Sequence, residues 1–255
     1  MPAVKPKKSL GQHFLTNEDV ARRIVESISS SPQSVLEIGP GMGVLTKYLL
    51  QKQYEQFMVV ELDEESVEFL KLHYPQLSEN IIAQDFLKLD LEKIFNDQLV
   101  IIGNFPYNIS SQILFKILEH KDLVNETVGM FQKEVAERVA SGPGNKQYGI
   151  LSVLLQAFYD IEYLFTVDEK QFLPPPKVKS AVIRLIRNPQ KQLRCSESLF
   201  KQVVKAGFNQ RRKTLRNSLS QFQFQPSFQQ NEIFSKRPEQ LTVQDFEQIC
   251  MNIIQ

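Results

Sequence analysis

Cysteine and histidine are scarce in this chain, and tryptophan is absent. The two cysteines are Cys195 and Cys250, and the three histidines are His13, His73 and His120. These positions do not have the spacing of a metal-ligand motif, and two cysteines are too few for a disulfide framework. The sequence therefore argues against a metal site, a disulfide-stabilised fold and a Cys/His nucleophile, and it favours a reducing cytosol.

Long apolar runs are missing as well. No stretch of about 18 apolar residues occurs, and the basic N-terminus, residues 1–8, is not followed by an apolar signal core. We therefore expect a soluble, cytoplasmic protein that is not exported. Its 255 residues, 42% of them hydrophobic, suffice for one large domain and a small one.

The net charge is only +1, which gives the whole chain no general attraction to nucleic acid. The distribution is uneven, because residues 177–220 hold twelve Lys or Arg and a single acid, Glu197. Within this stretch Arg211, Arg212, Lys213 and Arg216 cluster on one short segment. Such a cluster can be a solvated face, or it can contact phosphates, which the planar guanidinium of Arg favours.

Apolar strands alternate with helical patterns as far as Asn188 and Pro189, and the remainder is strand-poor. We predict an α/β catalytic domain over residues 1–190, whose first eight residues form a flexible basic arm. We predict a small, basic, helical RNA-binding domain over residues 191–255. Nothing in the sequence indicates an obligate dimer, so we expect a monomer.

A glycine bend follows the first clear strand of this domain. The strand, residues 35–38, runs into Gly39, Gly41 and Gly43, where the backbone can approach a ligand closely. The G-x-G-x-G spacing differs from the G-x-G-x-x-G of dinucleotide binders, and Glu37 would repel a pyrophosphate. An acid at this position instead favours a ligand with a cationic amine.

Two further acids end the next two strands. Glu61 lies 22 positions after Gly39, the distance at which a carboxylate meets a ribose diol in nucleoside-binding βαβ units. Asp85 follows the third strand and could accept a hydrogen bond from an adenine amine, or it could cap the turn that follows. Together with the glycine bend, Glu61 favours a nucleoside site over a solvated strand end.

The segment Asn104-Phe105-Pro106-Tyr107 follows a fourth, wholly apolar strand. Adenine N6 is a poor nucleophile, because its lone pair is delocalised into the ring. The amide oxygen of Asn104 and a free carbonyl at Pro106 could accept its two N–H groups, and Tyr107 could stack on the base. The alternative is an ordinary tight turn with Tyr107 as a core residue.

A loop with three consecutive prolines, residues 172–178, lies between the last two strands of the domain. Consecutive prolines hold the backbone extended. Phe172 at the start of this loop could cover the pocket as the second face of a base sandwich, or it could belong to the core.

Several of these segments, taken together, resemble the ribosomal RNA adenine dimethyltransferases, and most closely the small-subunit (16S) enzymes that use S-adenosylmethionine. The resemblance covers residues 9–216. The segments that carry it are Gln12-His13-Phe14-Leu15, Glu37-Ile38-Gly39-Pro40-Gly41-Met42-Gly43, Glu61-Leu62-Asp63, Asp85, Asn104-Phe105-Pro106-Tyr107-Asn108-Ile109-Ser110 and Phe172-Leu173-Pro174-Pro175-Pro176-Lys177-Val178.

The resemblance implies a Rossmann-like methyltransferase fold and a role for each matched position. The cofactor-binding residues would be His13, Leu15, Glu37, Gly39, Gly41, Glu61, Asp85 and Asn104. Glu37 would lie near the methionine ammonium, Glu61 would hold the ribose and Asp85 the cofactor adenine. Asn104 and Pro106 would act in catalysis, with Tyr107 and Phe172 enclosing the target adenine.

The implied reaction is dimethylation of N6 on two adjacent adenosines in a 3′-terminal hairpin loop of small-subunit ribosomal RNA, with the 30S precursor as partner. The sulfonium of the cofactor is a good leaving group, so alignment can replace a strong base. Alternatives are a large-subunit rRNA dimethyltransferase, an RNA-binding assembly factor with little catalysis, and a nicotinamide dehydrogenase. The glycine spacing disfavours the last of these.

Overall fold

The computed structural model describes residues 4–254. Nine strands are assigned within this range: β1 (Phe14–Leu15), β2 (Ser34–Ile38), β3 (Gln56–Glu61), β4 (Ile81–Ala83), β5 (Leu99–Asn104), β6 (Val124–Gln132), β7 (Tyr159–Val167), β8 (Phe172–Leu173) and β9 (Ser180–Arg187). Nine α-helices are assigned in the same range: α1 (Glu18–Glu26), α2 (Thr46–Leu49), α3 (Glu64–His73), α4 (Ser110–Glu119), α5 (Lys133–Ala140), α6 (Ile150–Gln156), α7 (Glu197–Asn209), α8 (Leu215–Ser218) and α9 (Val243–Met251).

Seven of the strands form one sheet in the order β4-β3-β2-β5-β6-β9-β7. The pairs from β4 to β6 are parallel, and β9 runs antiparallel to β6. The apolar residues of β2 and β5 are buried, as expected for strands covered on both faces. The chain reverses its direction of strand addition between β2 and β5, which is where open α/β sheets bind ligands.

A two-residue ladder, which the sequence did not predict, joins β1 to β8. Phe14 pairs with Leu173 and Leu15 with Phe172, and the Thr16 N–H donates to the Gln171 carbonyl at 2.8 Å. Strands of two residues are too short to leave a periodic pattern. The ladder fixes the N-terminal segment beside the proline loop.

Phe172 is placed in the core rather than over a pocket. Its side chain is 3% exposed and belongs to the main apolar cluster, with Leu15 and Val167 among its members. The core alternative for this residue is therefore the one seen here, because its place in the β8 ladder directs the ring inward. A role against the target base would require β8 to rearrange.

The predicted flexible arm is held in place over its described part, while residues 1–3 lie outside the described residues. Val4 is buried, the Lys7 N–H donates to Gln12 Oε1 at 2.8 Å, and Lys7 Nζ forms an ion pair with Asp63. This pair raises the pKa of Lys7 and lowers that of Asp63 against the opposing effect of burial. A charged partner 56 positions away left no signal in the local sequence.

The chain divides into two compact units. The first comprises residues 4–136 and 161–187, and the second comprises residues 137–160 and 188–254. The later segment of the second unit begins at residue 188, close to the predicted boundary at residue 190, but the unit also includes residues 137–160, which the sequence assigned to the first domain. The reason is that α6 packs against α7 and α9 of the helical unit.

Among residues 4–254, no helix has both the length and the apolar character needed to cross a membrane.

Candidate active site

The carboxyl ends of β2, β3 and β5 border a cavity of about 160 Å³ in the first unit. The predicted site residues that line it are His13, Gly39, Gly41, Glu61, Asp85, Asn104, Pro106 and Tyr107. A smaller cavity of about 30 Å³ shares Gly39 and Asn104 with it and is also lined by Leu15 and Glu37. Of the predicted cofactor and catalytic residues, Phe172 alone lines neither cavity.

The glycine bend forms the wall next to β2. Gly39 and Gly41 have φ of 64° and 55°, in the left-handed region that favours glycine. A Cβ at Gly41 would lie 2.8 Å from the Phe14 ring, so no larger residue fits there. The Gly39 N–H donates to the Val60 carbonyl at 2.9 Å, which ties the bend to β3.

Glu61 is buried at the end of β3 and braces this bend. Its Oε1 accepts the N–H groups of Leu62 and Asp63, both at 2.9 Å, and its Oε2 accepts the Gly41 N–H at 3.1 Å. Burial raises the pKa of Glu61, and the three backbone donors oppose that rise by stabilising the carboxylate. At least one lone pair of Oε2 remains for a hydroxyl in the cavity.

Glu37 is an isolated buried acid beside the smaller cavity. It is 1% exposed, and its Oε2 accepts the Thr46 hydroxyl at 2.7 Å. Burial raises the pKa of Glu37 to about 8, and the charge of Glu61 adds to this rise. An uncompensated acid of this kind gains stability when a cation approaches it.

We expect Glu37 to make the unfolding free energy depend on pH. Its folded pKa of about 8 exceeds the ordinary glutamate pKa of 4.5, so the folded state holds the proton more tightly than the unfolded chain. The contribution of Glu37 to the free energy of unfolding is fully present below pH 4.5 and is lost as the pH rises through 8. Relative to Glu37→Gln, the wild type should lose about 3 kcal/mol between pH 5 and pH 8.

Urea unfolding of both proteins at several pH values measures this difference. Thr46→Val serves as a control for the hydroxyl, since it removes the bond to Glu37 but keeps the acid. Parallel pH profiles for wild type and Glu37→Gln would contradict the raised pKa.

Asp85 caps the turn that follows it, which was one of the two alternatives, and the other, a contact with an adenine amine, stays a prediction. It lines the larger cavity, and its Oδ1 caps a short 3-10 turn (Phe86–Lys88) by accepting the Leu87 N–H at 2.9 Å. Its second oxygen accepts no bond from any residue between 4 and 254. That oxygen can accept a ligand amine without disturbing the cap.

The sequence reading missed Lys116, which holds the loop that carries Asp85. Its side chain on α4 is buried, and Nζ donates to the carbonyl oxygens of Leu87, at 3.1 Å, and Leu89. Burial lowers the pKa of this ammonium, while nearby acids, including Asp85, oppose that shift. One sequence feature could have identified Lys116: it lies three residues after Ile113, which places a charged side chain on the apolar face of the helix.

Asn104 ends β5 and lines both cavities. Its Nδ2 donates to the backbone carbonyl of His13 at 2.9 Å. This bond fixes the orientation of the amide, with the nitrogen held by the N-terminal segment and Oδ1 left as an acceptor. Because the acceptor is the backbone carbonyl of His13, the imidazole side chain is not needed for this contact.

The Pro106 carbonyl is less available than the sequence predicted. It accepts the Ile109 N–H at 3.3 Å and the Ser110 hydroxyl at 3.2 Å, and these bonds occupy both lone pairs at the start of α4. The Phe105 carbonyl oxygen accepts no hydrogen bond within the described part of the chain. The free carbonyl of this turn therefore belongs to Phe105, one residue earlier than expected.

The Phe105 ring occupies space that two glycines leave open. Gly103 on β5 and Gly129 on β6 are register partners. A Cβ would lie 2.8 Å from the Phe105 ring at the first position and 2.3 Å from it at the second. Because nothing larger fits at either position, these two glycines make room for the Phe105 ring.

Tyr107 lies where three segments meet. Its ring stacks on the His13 ring, with centroids 5.5 Å apart, and its hydroxyl hydrogen-bonds with Ser180. Burial raises the pKa of the phenol. His13 Nδ1 lies 2.7 Å from the Pro174 carbonyl oxygen. A base that stacks on Tyr107 must therefore use the face opposite His13 or displace the imidazole.

The predicted RNA-binding residues belong to the second unit and differ in availability: Arg211, Arg212 and Lys213 lie between α7 and α8, and Arg216 lies in α8. Arg211 donates to the Lys146 carbonyl and so holds the loop before α6. Arg212, Lys213 and Arg216 are exposed. The cluster is therefore one structural arginine beside three solvent-facing cations.

Comparison with known proteins decides the family. The model of the ribosomal RNA adenine dimethylase family matches residues 3–252. This chain belongs to the ribosomal RNA adenine dimethylases. That finding confirms the resemblance drawn from the motifs.

Curated relatives match this dimethylase over nearly its full length. The ribosomal RNA small subunit methyltransferase A of Parabacteroides distasonis is 58% identical over 254 residues, 98% of this chain and 95% of that protein. The protein of the same name from Cytophaga hutchinsonii is 58% identical over 96% of both chains. The chain is accordingly an enzyme of the methyltransferase class.

Two solved structures confirm the fold. A dimethyladenosine transferase from Plasmodium falciparum has a TM-score of 0.78 at 25% identity, over 92% of this dimethylase and 94% of that chain. The 23S rRNA methyltransferase ErmE has a TM-score of 0.72 at 24% identity, over 94% and 100%. The fold is the Rossmann-like, S-adenosylmethionine-dependent methyltransferase fold predicted from the sequence.

Proposed function

We propose that this chain transfers methyl groups from S-adenosylmethionine to N6 of adenines in small-subunit ribosomal RNA, forming N6,N6-dimethyladenine. The names of the curated relatives support the small subunit as the source of the RNA. The resemblance adds the finer proposal that the targets are two adjacent adenosines in a 3′-terminal hairpin loop. The observation that carries the chemistry is the orientation of Asn104 by the His13 carbonyl.

The residues at the two cavities fit S-adenosylmethionine. Glu37 is a buried acid without a cationic partner in the described structure, which suits the amino group of the methionine part. The free lone pair of Glu61 suits a ribose hydroxyl, and the second oxygen of Asp85 suits an adenine amine. Bound there, the cofactor would supply an electrophilic methyl group on a sulfonium.

The acceptor side is built by Asn104 and Phe105. Asn104 Oδ1 and the Phe105 carbonyl can each accept one N–H of the adenine amine. Accepting both bonds favours a pyramidal nitrogen, whose lone pair is no longer shared with the ring. Both acceptors are already oriented by the fold, so no reorganisation is needed when positive charge develops on N6.

A monomethylated amine is still a nucleophile, so the same acceptors can serve a second transfer. After the first transfer one N–H remains, and a single acceptor suffices to hold it. We propose on this ground that the site acts twice on each adenine. We further propose that the protein works as a cytoplasmic monomer on a 30S precursor.

Purified protein, labelled cofactor and undermethylated small subunits test this proposal. We expect label in small-subunit RNA and N6,N6-dimethyladenine in its nuclease digest by mass spectrometry. Large-subunit RNA offered in parallel should stay unlabelled. Tight binding of small subunits without label would instead indicate an assembly factor, and label in large-subunit RNA would assign the chain to the other class of dimethyltransferase.

We expect the double variant Arg212→Gln/Lys213→Gln to bind RNA more weakly and with less dependence on salt. Each lost phosphate contact should reduce the slope of log Kd against log salt by about 0.7–0.9. Binding to small subunits across a range of salt concentrations measures this slope. Arg237→Gln, an exposed arginine outside the cluster, is the matched control, and an unchanged slope in the double variant would remove both residues from the interface.

A further inference from the structure

The second unit contains an open cavity that the proposed methyl transfer does not use. Its volume is about 400 Å³, within the range of small-ligand sites. We call it the Arg216 cleft and define it by the residues Arg216, Phe222, Gln223, Phe224, Phe234 and Ile254. These residues belong to the end of the chain after α7, so the cleft lies wholly within the helical unit.

The floor of the Arg216 cleft is a packed aromatic cluster. Phe224 and Phe228 each meet Phe234 edge to face, with centroid distances of 4.8 and 5.5 Å. Phe224 also forms a β-bridge with Ile253, which attaches the end of the chain to this cluster. Because three interlocked rings hold the floor, the cleft is a fixed feature of the unit.

The rim of the cleft combines one cation, one partly exposed ring and amides. The Arg216 guanidinium lies 5.9 Å from the centre of the Phe234 ring and forms no ion pair with any acid among residues 4–254. Phe222 is half-buried, and Gln223 is exposed. Among residues 4–254 no carboxylate lines the cleft, so the chemistry of these residues suits a flat apolar group attached to an anion.

We propose that the Arg216 cleft binds one unpaired nucleotide of the ribosomal RNA, with its base stacked on Phe222 and its phosphate on Arg216. The proposal rests on the proposed function, since it assigns a second contact to the same RNA. A nucleotide uses all three features: an aromatic face stacks any base, a guanidinium binds phosphate, and the Gln223 amide can bond a base edge. A peptide with an acidic side chain would use the cation but not the ring and the amide together.

Substitutions at Phe222 separate stacking from charge. Phe222→Leu keeps an apolar side chain but removes the aromatic face, and it should raise the Kd for undermethylated small subunits about tenfold. Phe222→Tyr keeps the ring and should bind like the wild type. Arg216→Gln should also weaken binding, and it alone of these variants should reduce the salt slope, by about 0.7–0.9. Phe69→Leu, at a half-buried phenylalanine on α3 of the first unit, is the matched control.

Crosslinking identifies the occupant. Small subunits containing 4-thiouridine, irradiated with the full-length protein, should yield an RNA crosslink on the peptide that contains Phe222. Normal binding by Phe222→Leu with an unchanged melting temperature would overturn the proposal, as would RNA crosslinks on other peptides of this protein but none on the peptide that contains Phe222. The wild type is assayed for methyl transfer on the same subunits, so absence of transfer would count against the proposed function and not against the cleft.

Discussion

Replacing Asn104 with alanine should reduce methyl transfer by at least about 10³-fold while changing cofactor affinity little. The Asn104 side chain provides Oδ1, one of the two acceptors proposed for the adenine amine. The other acceptor is the backbone carbonyl of Phe105, so no second side chain is in place to accept the bond that Oδ1 would lose. Single-turnover transfer to undermethylated small subunits measures the chemical step. Calorimetric titration with S-adenosylmethionine measures the cofactor affinity.

The matched control is Asn96→Ala, which removes an exposed amide from the same unit and should leave both quantities unchanged. Asn104→Asp adds a sharper test. It keeps an acceptor oxygen but places a second carboxylate oxygen against the His13 carbonyl, so it should disturb the orientation that Nδ2 maintains. Single-turnover rates near the wild-type value for Asn104→Ala would contradict the role of Oδ1.

The positions of Gly39, Glu61, Asp85 and Asn104 could be predicted from the sequence because each lies at the carboxyl end of its own strand or within two residues of it. Parallel strands end at the same edge of a sheet, so residues just after them meet without any knowledge of long-range contacts. The chemistry of these residue types was also readable. An acid before a glycine bend and an amide followed by aromatic residues are local patterns.

The contacts that orient these residues could not be predicted, since their partners are far away in the chain. Asn104 is anchored 91 positions upstream, at the His13 carbonyl, and Lys116 reaches back 29 positions to the Leu87 carbonyl. Neither contact follows from periodicity. The orientation of Phe172 was ambiguous for a related reason. An aromatic residue before prolines can face a pocket or the core, and the pairing of β8 with β1, which places it in the core, is a long-range contact.

The sequence predicted a free carbonyl at Pro106, one residue too late, because the hydrogen bonds of a turn depend on φ and ψ. The sequence shows that proline lacks an N–H, but it does not show which carbonyl the next turn consumes. Because the Ile109 N–H and the Ser110 hydroxyl donate to the Pro106 carbonyl, the Phe105 carbonyl is the one left free to accept. Gly103 and Gly129 leave the space that the Phe105 ring occupies next to this carbonyl.

Glu61→Ala should weaken S-adenosylmethionine binding about 100-fold while leaving RNA affinity unchanged. Two effects add: the variant loses the oxygen proposed to hold a ribose hydroxyl, and it frees the Gly41 N–H, which shapes the glycine bend. Glu61→Gln should also bind weakly. An amide nitrogen at either oxygen position would face backbone N–H groups, so the isosteric change cannot preserve the present bonds.

Titration calorimetry with S-adenosylmethionine, and filter binding of small subunits without cofactor, measure the two affinities separately. Glu64→Ala is the matched control, because it removes an exposed acid three residues away at the start of α3. A melting temperature recorded for each variant distinguishes a lost contact from a collapsed bend. Cofactor binding by Glu61→Ala within twofold of the wild type would exclude this carboxylate from the cofactor site. RNA binding that fell in parallel with cofactor binding would mean that the bend also supports the RNA surface.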